Sequence, residues 1–589
     1  MLYLTSEKFS FFLPLGLIGL FRYLWFVIRL LAAWCYQPIP VPDEPLYLAS
    51  EDVTIIVPTI DADDHFLAAM RSWLAGSPFE ILIITANNVL PALQAFADEI
   101  NAEDAAAHPG EQLGRDGLGR VKVFGVERPN KRVQMAEGIR RVETDIIVFA
   151  DDDALWPSTL LPLVLACFAD AQIGGVGTSQ RVLPQAASGK FTVWETLAAF
   201  RLSIRNVEIA ASTHFDGGVP CLSGRTAAYR TEILQDPQFL HAFTHDFWRG
   251  KYHLNSGDDK FLTRWLVSHG WKTYVQVSHG AELQSTMKAD WTFLKQVLRW
   301  TRNTWRSDLR SLFVERHVWR RHPYVAWSML DKLFNPLTLL AGPALVIYLC
   351  ARSAAGQSLP DLLDPTGASA AAKEEGYVLP VWNIILSWFV WLTVTRTVKL
   401  APHFWRRPQD VVWVPVWIAF GYYFSVMKLY ALFTLHDVGW GTRAGVDPVP
   451  SSAARAPAAA SSALEKDPSI PAPSYRTTLT PPSAHTCSRT LPPAPPPPMH
   501  SLDPSSAPVL PSLSGMTSYR LSVTSDPYDE ARAALAEVER CARGPGGTVG
   551  GGVEEELVFD GAGVDGYSAT DEFSPTIRAV EREERGERP

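Results

Sequence analysis

The chain has no paired cysteines. Cys35, Cys167, Cys221, Cys350, Cys487 and Cys541 are scattered over 589 residues with no C-x-x-C pair and no Cys/His spacing suited to zinc. This excludes a zinc-ribbon or disulfide-scaffold reading and points to a reduced, cytosolic setting for the soluble-looking middle of the chain. No Asn-x-Ser/Thr sequon occurs, which agrees with that placement. A strong charge of either sign is also missing. The net charge is -9, and the one basic stretch lies next to an apolar segment, so nucleic acid is not an expected partner.

Apolar and aromatic residues are plentiful: 47% of the chain is hydrophobic, with 20 Trp and 28 Phe, enough for a sizeable core plus membrane spans. The first apolar run, 9–36, is longer than a secretory h-region and lacks a small-x-small cleavage site, which makes it a retained signal anchor. Arg22 and Arg29 sit in its second half, so the positive-inside tendency puts the following residues in the cytosol. Seven residues is roughly 700° of helical rotation, so the two arginines share nearly one face. Arg29 is read as snorkelling to the interface; Arg22 either snorkels or lines a conduit. Three further apolar segments lie at 334–350, 378–398 and 411–435, and the connector bearing Lys399, Arg406 and Arg407 is expected in the cytosol. From Asp447 onward Pro, Ser and Ala dominate, a composition that buries too little apolar surface to offset chain entropy. A disordered regulatory or spacer tail is expected there, with one short helix near 528–543. The resulting division is 1–45 anchor, 46–290 soluble domain, 291–330 amphipathic interfacial helices, 331–443 membrane region and 444–589 tail.

Within the soluble domain, 53–57, 81–84, 121–124 and 146–149 are short β-branched runs suited to buried parallel strands, and 131–142 is an intervening helix. The alternation predicts a doubly wound α/β domain, in which ligands sit at the carboxyl ends of the strands. Asp151, Asp152 and Asp153 follow the fourth strand directly. Three adjacent carboxylates need neutralising, and a hard divalent ion accepts such oxygens; the plainer alternative is an acidic helix start. A second cluster, Asn255-Ser-Gly-Asp258-Asp259, opens an amphipathic helix. Here Asp259 is either a helix cap or a general base for an attacking hydroxyl. The third element, Gln296-Val-Leu-Arg299-Trp300, lies in an Arg/Trp-rich stretch typical of an interfacial helix. A guanidinium there can stabilise a departing diphosphate, and an indole face can hold a sugar ring. His241 and His245, at i, i+4 with His253 nearby, have metal-compatible spacing but lack the glutamate of H-E-x-x-H.

In this order, Asp151-Asp152-Asp153, Gly257-Asp258-Asp259 and Gln296-Val-Leu-Arg299-Trp300 resemble the D-x-D, (T/G)-(E/D)-D and Q-x-x-R-W signatures of processive family 2 glycosyltransferases. Lys131-Arg132, Cys221-Leu-Ser-Gly224 and Trp440-Gly-Thr-Arg443 extend the resemblance to the hyaluronan synthases and related fungal capsule or cell-wall polysaccharide synthases, over residues 53–443. The resemblance implies a GT-A (Rossmann-like) cytosolic domain flanked by transmembrane and interfacial helices in a multi-pass protein of the plasma membrane. It implies a UDP-sugar donor, Mn2+ or Mg2+ as cofactor, and a growing polysaccharide as acceptor, exported across the membrane in contact with lipid. Asp151 and Asp153 would contact the donor, with Asp153 the metal ligand, and Lys131 would pair with its diphosphate. Asp259 would be the base, with Asp258 beside it. Gln296 and Arg299 would hold the leaving diphosphate, Trp300 would stack on the acceptor, and Trp440 and Arg443 would belong to a gating loop. One base and direct displacement imply inversion, a β-linked product from an α-linked donor.

Thr85-Ala-Asn87 departs from the pattern, standing where the family has an aspartate that helps recognise uracil, and Asp61 or Asp63 would take up part of that role. Chitin synthases usually show E-D-R and Q-R-R-R-W, which this chain does not. A non-processive lipid or glycan glycosyltransferase and an inactive membrane scaffold are the competing readings. Three full crossings after the soluble domain would leave 440–443 outside, away from the site they should gate. A bent third segment, with Lys428 marking the change, resolves this and keeps the tail cytosolic.

Overall fold

The computed structural model describes residues 17–60, 64–110, 113–117, 119–127, 130–186, 188–357 and 378–439. Asp61, Asp63, Trp440, Arg443, the side chain of Arg22 and the whole segment 444–589, with its expected helix at 528–543, lie outside the described residues.

The described residues form twelve strands: β1 (Val53–Pro58), β2 (Glu80–Ala86), β3 (Val121–Val126), β4 (Ile146–Ala150), β5 (Ala154–Leu155), β6 (Ile173–Thr178), β7 (Gln180–Val182), β8 (Thr226–Arg230), β9 (Phe247–Trp248), β10 (Tyr252–His253), β11 (Lys272–Gln276) and β12 (Leu283–Ser285). Seven of them make the central sheet in the order β11-β6-β8-β4-β1-β2-β3. The four runs of β-branched residues expected as strands form one parallel half, β4-β1-β2-β3. The other half is mixed, because β8 runs antiparallel to both β4 and β6. β1 and β2 are buried on both faces. Val53, Ile55, Val57, Ile81 and Ile83 pack to one side with Phe66 and Trp73, whereas Ile56, Leu82 and Ile84 pack to the other with Met135 and Ile139. This is the GT-A-like α/β fold expected from the sequence, with an antiparallel strand inserted. A small sheet, β5-β12-β7, lies beyond the end of β4 and turns the chain after Asp153 toward β12.

Among the described residues three helices are long and apolar enough to cross a membrane: Pro323–Ala354, Val381–Arg406 and Pro408–Phe433. The first begins eleven residues before the apolar run that announced it. Pro323 opens it, and the remote Asp216 carboxylate caps it by accepting from the backbone N–H of Tyr324 (2.9 Å) and Val325 (3.2 Å). The basic connector docks on the catalytic unit, with Lys399 3.0 Å from Glu208 and Arg406 2.7 Å from Glu282. The apolar helix Val414–Phe433 then returns along that unit. Trp417 and Phe420 pack on Phe200 and Phe293, and the Trp305 indole donates to Lys428 O (3.0 Å). Just beyond its end, Arg302 meets Asp437 (2.5 Å) and Arg306 donates to Leu435 O (3.0 Å). Both ends of this helix therefore touch the catalytic unit.

Arg29 corrects one expectation. It lies in the helix Leu17–Cys35, only 7% exposed, and does not snorkel. Its guanidinium donates to Ser328 Oγ (2.9 Å) and pairs with Asp331 (3.4 Å) and Glu208 (3.9 Å). With Ser328, Asp331 and Glu208 around it, the buried guanidinium is not left as an uncompensated charge.

Candidate active site

β4 ends at Ala150, and the chain passes directly into Asp151, Asp152 and Asp153, whose side chains take three different partners. The Lys131 ammonium, from the first turn of the helix Lys131–Ile139, lies 2.7 Å from Asp151 Oδ1. Asp152 accepts from Thr59 Oγ1 at 2.8 Å. Asp153 Oδ2 accepts from two hydroxyls at the end of the small sheet, Ser285 Oγ (3.0 Å) and Thr286 Oγ1 (2.8 Å). The helix-start reading of this triplet therefore fails: each carboxylate is separately positioned, and none caps a helix.

The second cluster meets the first. Gly257 sits at φ +79°, a left-handed conformation that opens the helix Asp258–His269 and makes both aspartates its first residues. The helix N-terminus favours their charge. Lys131 Nζ is 3.3 Å from Asp258 Oδ2, so one ammonium bridges the two acidic motifs. Gly224 lies against them: a Cβ there would stand 3.4 Å from Asp258 Oδ2 and 3.6 Å from Lys131 Nζ. Asp259 accepts from its neighbour's backbone, Lys260 N, at 2.7 Å on Oδ1 and from the Cys221 thiol at 3.2 Å on Oδ2. Gly257→Ala should cost about 1–2 kcal/mol through the left-handed backbone alone, because the space around the added methyl is ordinary. A lowered thermal midpoint with transfer reduced further checks this; an unchanged midpoint would refute it.

Electrostatics divides the carboxylates. Burial raises Asp151 above the usual carboxylate range despite Lys131 beside it. Burial also opposes the charge on Asp258, but Lys131 and Arg132 outweigh it and hold that carboxyl below its usual range. Lys131 is itself held charged: burial works against its ammonium, and Asp151, Asp258 and Asp259 more than compensate. Burial and the Asp259 carboxylate push the Cys221 thiol well up, so it stays protonated and can donate.

The Arg/Trp-rich segment forms the helix Thr292–Leu309. Gln296, Arg299 and Trp300 fall at i, i+3 and i+4 on one side of it. Gln296 Oε1 is buried without a hydrogen-bond partner among the described residues, and it can accept from a hydroxyl or amide donor. The Trp300 ring lies 5.5 Å from the Arg225 guanidinium, and the backbone carbonyl of Arg225 accepts from Asp151 N (2.8 Å), which ties the indole to the first acidic motif. Asn303 ties the same helix to the second: its Nδ2 donates to Ser256 Oγ at 3.2 Å while its Oδ1 accepts from Arg306 at 2.8 Å. Sequence reasoning missed Asn303, Arg225, Ser285 and Thr286. Asn303, seven residues after Gln296, could have been found as a polar residue on the same helical face.

His241 and His245 stack on each other at 4.5 Å, with His245 Nδ1 3.0 Å from His241 O, and His253 Nε2 meets Thr244 O at 2.9 Å. Among the described residues no group of three His, Cys, Asp or Glu is placed to hold a metal unaided. Magnesium-like ions that also bind substrate phosphates need only one or two protein carboxylates. Asp153, fixed by two hydroxyls, with Asp151 beside it in sequence, is a donor set of that kind.

The fold and its acidic clusters are those of a glycosyltransferase. A family model described as "Glycosyltransferase like family 2" matches residues 50–303. A "Type 2 glycosyltransferase" of Zymoseptoria tritici is 39% identical over 431 residues, covering 72% of this chain and 82% of that protein. The chain belongs to the family 2 glycosyltransferases. More distantly, human "Hyaluronan synthase 3" is 27% identical over 308 residues, 51% of this chain and 47% of that one. Among solved structures, a mannosyltransferase from Pyrobaculum calidifontis in complex with GDP-Man and Mn2+ aligns with TM-score 0.38 at 18% identity, over 63% of this chain and 95% of that one.

Proposed function

We propose that this enzyme is an inverting, metal-dependent, processive polysaccharide synthase that uses UDP-sugars at the cytosolic face of the plasma membrane and exports its β-linked product. The observation that carries this reading is the Lys131 bridge. It holds Asp151 of the first acidic motif and Asp258, the neighbour of the candidate base Asp259, on one ammonium. In the proposed cycle Lys131 shifts toward the donor diphosphate, with Gln296 and Arg299 holding its oxygens as it leaves. Asp259 takes the proton from the acceptor hydroxyl. As the oxygen bonds to the anomeric carbon, the bond to UDP breaks on the opposite face, which inverts the configuration. Trp300 holds the acceptor ring. A Mn2+ or Mg2+ ion on Asp153 would neutralise charge developing on the diphosphate. The apolar helix runs unbroken through Lys428 and touches the catalytic unit at both ends, which favours a partly interfacial third segment over a bent one.

Giving reconstituted protein a panel of UDP-sugars, with product length and linkage determined, tests the reading. Long β-linked chains are expected; single-residue addition to a lipid would refute processivity. Asp153→Ala should weaken Mn2+-dependent donor binding by more than the roughly 10–100-fold that loss of a supporting hydroxyl causes. Titration calorimetry with and without EDTA measures this, and equal affinities for wild type and variant would remove Asp153 from the metal site.

A further inference from the structure

Lys131 has a neighbour to which the proposed cycle gives no role. Arg132 follows it on the first turn of the helix Lys131–Ile139, is only 2% exposed, and reaches a different set of partners. Its Nη1 donates to Phe243 O at 2.9 Å, and its Nη2 donates to Ser256 O at 3.3 Å and meets Asp246 Oδ2 at 3.2 Å. Ser256 is the residue before Gly257, whose left-handed backbone opens the helix of Asp258 and Asp259. Two adjacent cations therefore grip the second acidic motif at two points: Lys131 holds the Asp258 carboxylate, and Arg132 holds the backbone just ahead of the turn.

Arg132 is held in its turn. Among the described residues the carboxylate within ion-pair distance of it is Asp246, itself 6% exposed. Asp246 collects two further guanidiniums. Arg310 lies 2.5 Å away, from the segment that continues the helix of Gln296 and Trp300, and Arg264 lies 4.0 Å away, from the helix of Asp259. The Asp246 carbonyl also accepts from Leu254 N at 2.9 Å, which closes the β9-β10 hairpin that delivers Asn255, Ser256 and Gly257 to the site. One buried carboxylate thus joins three helical segments that carry site residues. Burial opposes its charge, but Arg132, Arg310 and Arg264 outweigh burial and hold the carboxyl below its usual range, so it is ionised at neutral pH. Replacing a buried ion pair by apolar residues of similar volume is often neutral for stability, so this pair is better explained by the geometry it fixes.

We propose that Asp246 is a positioning residue: acting through Arg132 and the Ser256 carbonyl, it sets the place of Gly257–Asp259 against Lys131 and so aims the candidate base at the acceptor hydroxyl. This role rests on the reading of Asp259 as the base and adds what aims it. In that cycle Asp246 touches neither donor nor acceptor. A displacement of about 1 Å in a reacting group can cost about 100-fold in rate, so a carboxylate away from the chemistry can govern turnover. Glu315 serves as the comparison. It pairs with Arg264 of the same cluster at 3.1 Å, without a bond to Arg132 or to Ser256.

The test compares full-length Asp246→Asn with wild type in reconstituted membranes, well below the thermal midpoint of each. The variant keeps the side chain's shape and loses the charge that holds Arg132. Turnover should fall by at least about ten-fold, with UDP-sugar affinity, read by calorimetry, within about three-fold of wild type. Glu315→Gln should leave turnover within about two-fold even if its midpoint falls. Should Asp246→Asn fail to fold, Arg132→Lys carries the test. It keeps the positive charge beside Asp246, but a single ammonium lacks the fork that spans Phe243 O, Ser256 O and Asp246, and the same fall in turnover is expected. Turnover within about two-fold of wild type in folded Asp246→Asn or Arg132→Lys overturns the proposal, leaving the pair a stabiliser of the fold. A matching loss of donor affinity overturns it as well, by placing the pair in the donor site, and so does an equal fall in Glu315→Gln, which would mark a general loosening of the cluster. Asp259→Asn, assayed in parallel, reports on the base itself. Near-normal transfer there removes the mechanism, whereas loss there with unchanged turnover in Asp246→Asn removes only the positioning role.

Discussion

Asp259→Asn should abolish polymer synthesis while leaving donor binding within a few-fold of wild type. The aspartate sits at a helix N-terminus with both oxygens engaged by donors, Lys260 N and the Cys221 thiol. Its lone pairs are therefore aimed and its charge is stabilised. An asparagine of the same shape can still accept from Lys260 N. Its amide nitrogen would then face a thiol that is itself a donor, and it has no capacity to take a proton. General-base catalysis contributes about 10²–10⁴-fold, so transfer should fall by that order. The proposed metal and diphosphate contacts, on Asp153 and Lys131, are not touched. Polymer synthesis at near-normal rate in the variant would sink the assignment, and parallel loss of UDP-sugar binding would show that Asp259 belongs to the donor site instead.

Lys131→Met should be as damaging, by a different route. The ammonium is the shared counter-charge of Asp151 and Asp258. Its removal leaves two buried carboxylates beside one another, a change that costs about 3–5 kcal/mol when one partner of a buried pair is deleted. The sign of the pH dependence is specific. In the wild type the folded-state pKa of Asp258 is lowered, so its stabilising contribution is present above the unfolded value, near 4, and is lost as pH falls through the folded value. Without Lys131, burial is opposed only by Arg132 and the backbone, so the folded pKa moves up and the stability that Asp258 contributes above the unfolded value shrinks. The gap in thermal midpoint between wild type and variant should therefore be widest at pH 7.5 and narrow toward pH 4. A gap of equal size at both values would show that the lysine does not hold Asp258 ionised. Donor affinity should fall as well, because the same ammonium is the proposed diphosphate partner.

The parallel half of the sheet was legible because its strands are uninterrupted β-branched runs buried on both faces. β6 was not, because Ile173-Gly-Gly-Val-Gly-Thr178 reads as a loop. It is a strand because its neighbours fill the space that side chains would occupy: a Cβ on Gly174 would lie 2.8 Å from Ile233 and Trp271, and one on Gly175 would lie 2.7 Å from Leu266. That information belongs to tertiary packing and has no period in the sequence. In the site, the acidic motifs were legible because carboxylates at a strand end and at a helix start are locally anomalous. Lys131 as a bridge between them was not, since it joins residues 20 and 127 positions away. Ser285 and Thr286 were hidden for the same reason, as ordinary residues that matter only because β12 pairs with β5. Arg29 was misread because a lone arginine in an apolar run carries no sign of its partners, which lie 179 and 302 residues further on.

The helix Val414–Phe433 has a consequence for how the molecule is made. It packs on Phe200 and Phe293 and its end is pinned by Arg302 and Arg306, so the helix carrying Gln296, Arg299 and Trp300 is completed by a segment translated more than a hundred residues later. The GT-A-like unit can collapse on the ribosome, but its active centre is not finished until the two intervening apolar helices have been made and the chain has come back. A nascent chain stalled between them would be folded yet inert, so activity waits on the last helix.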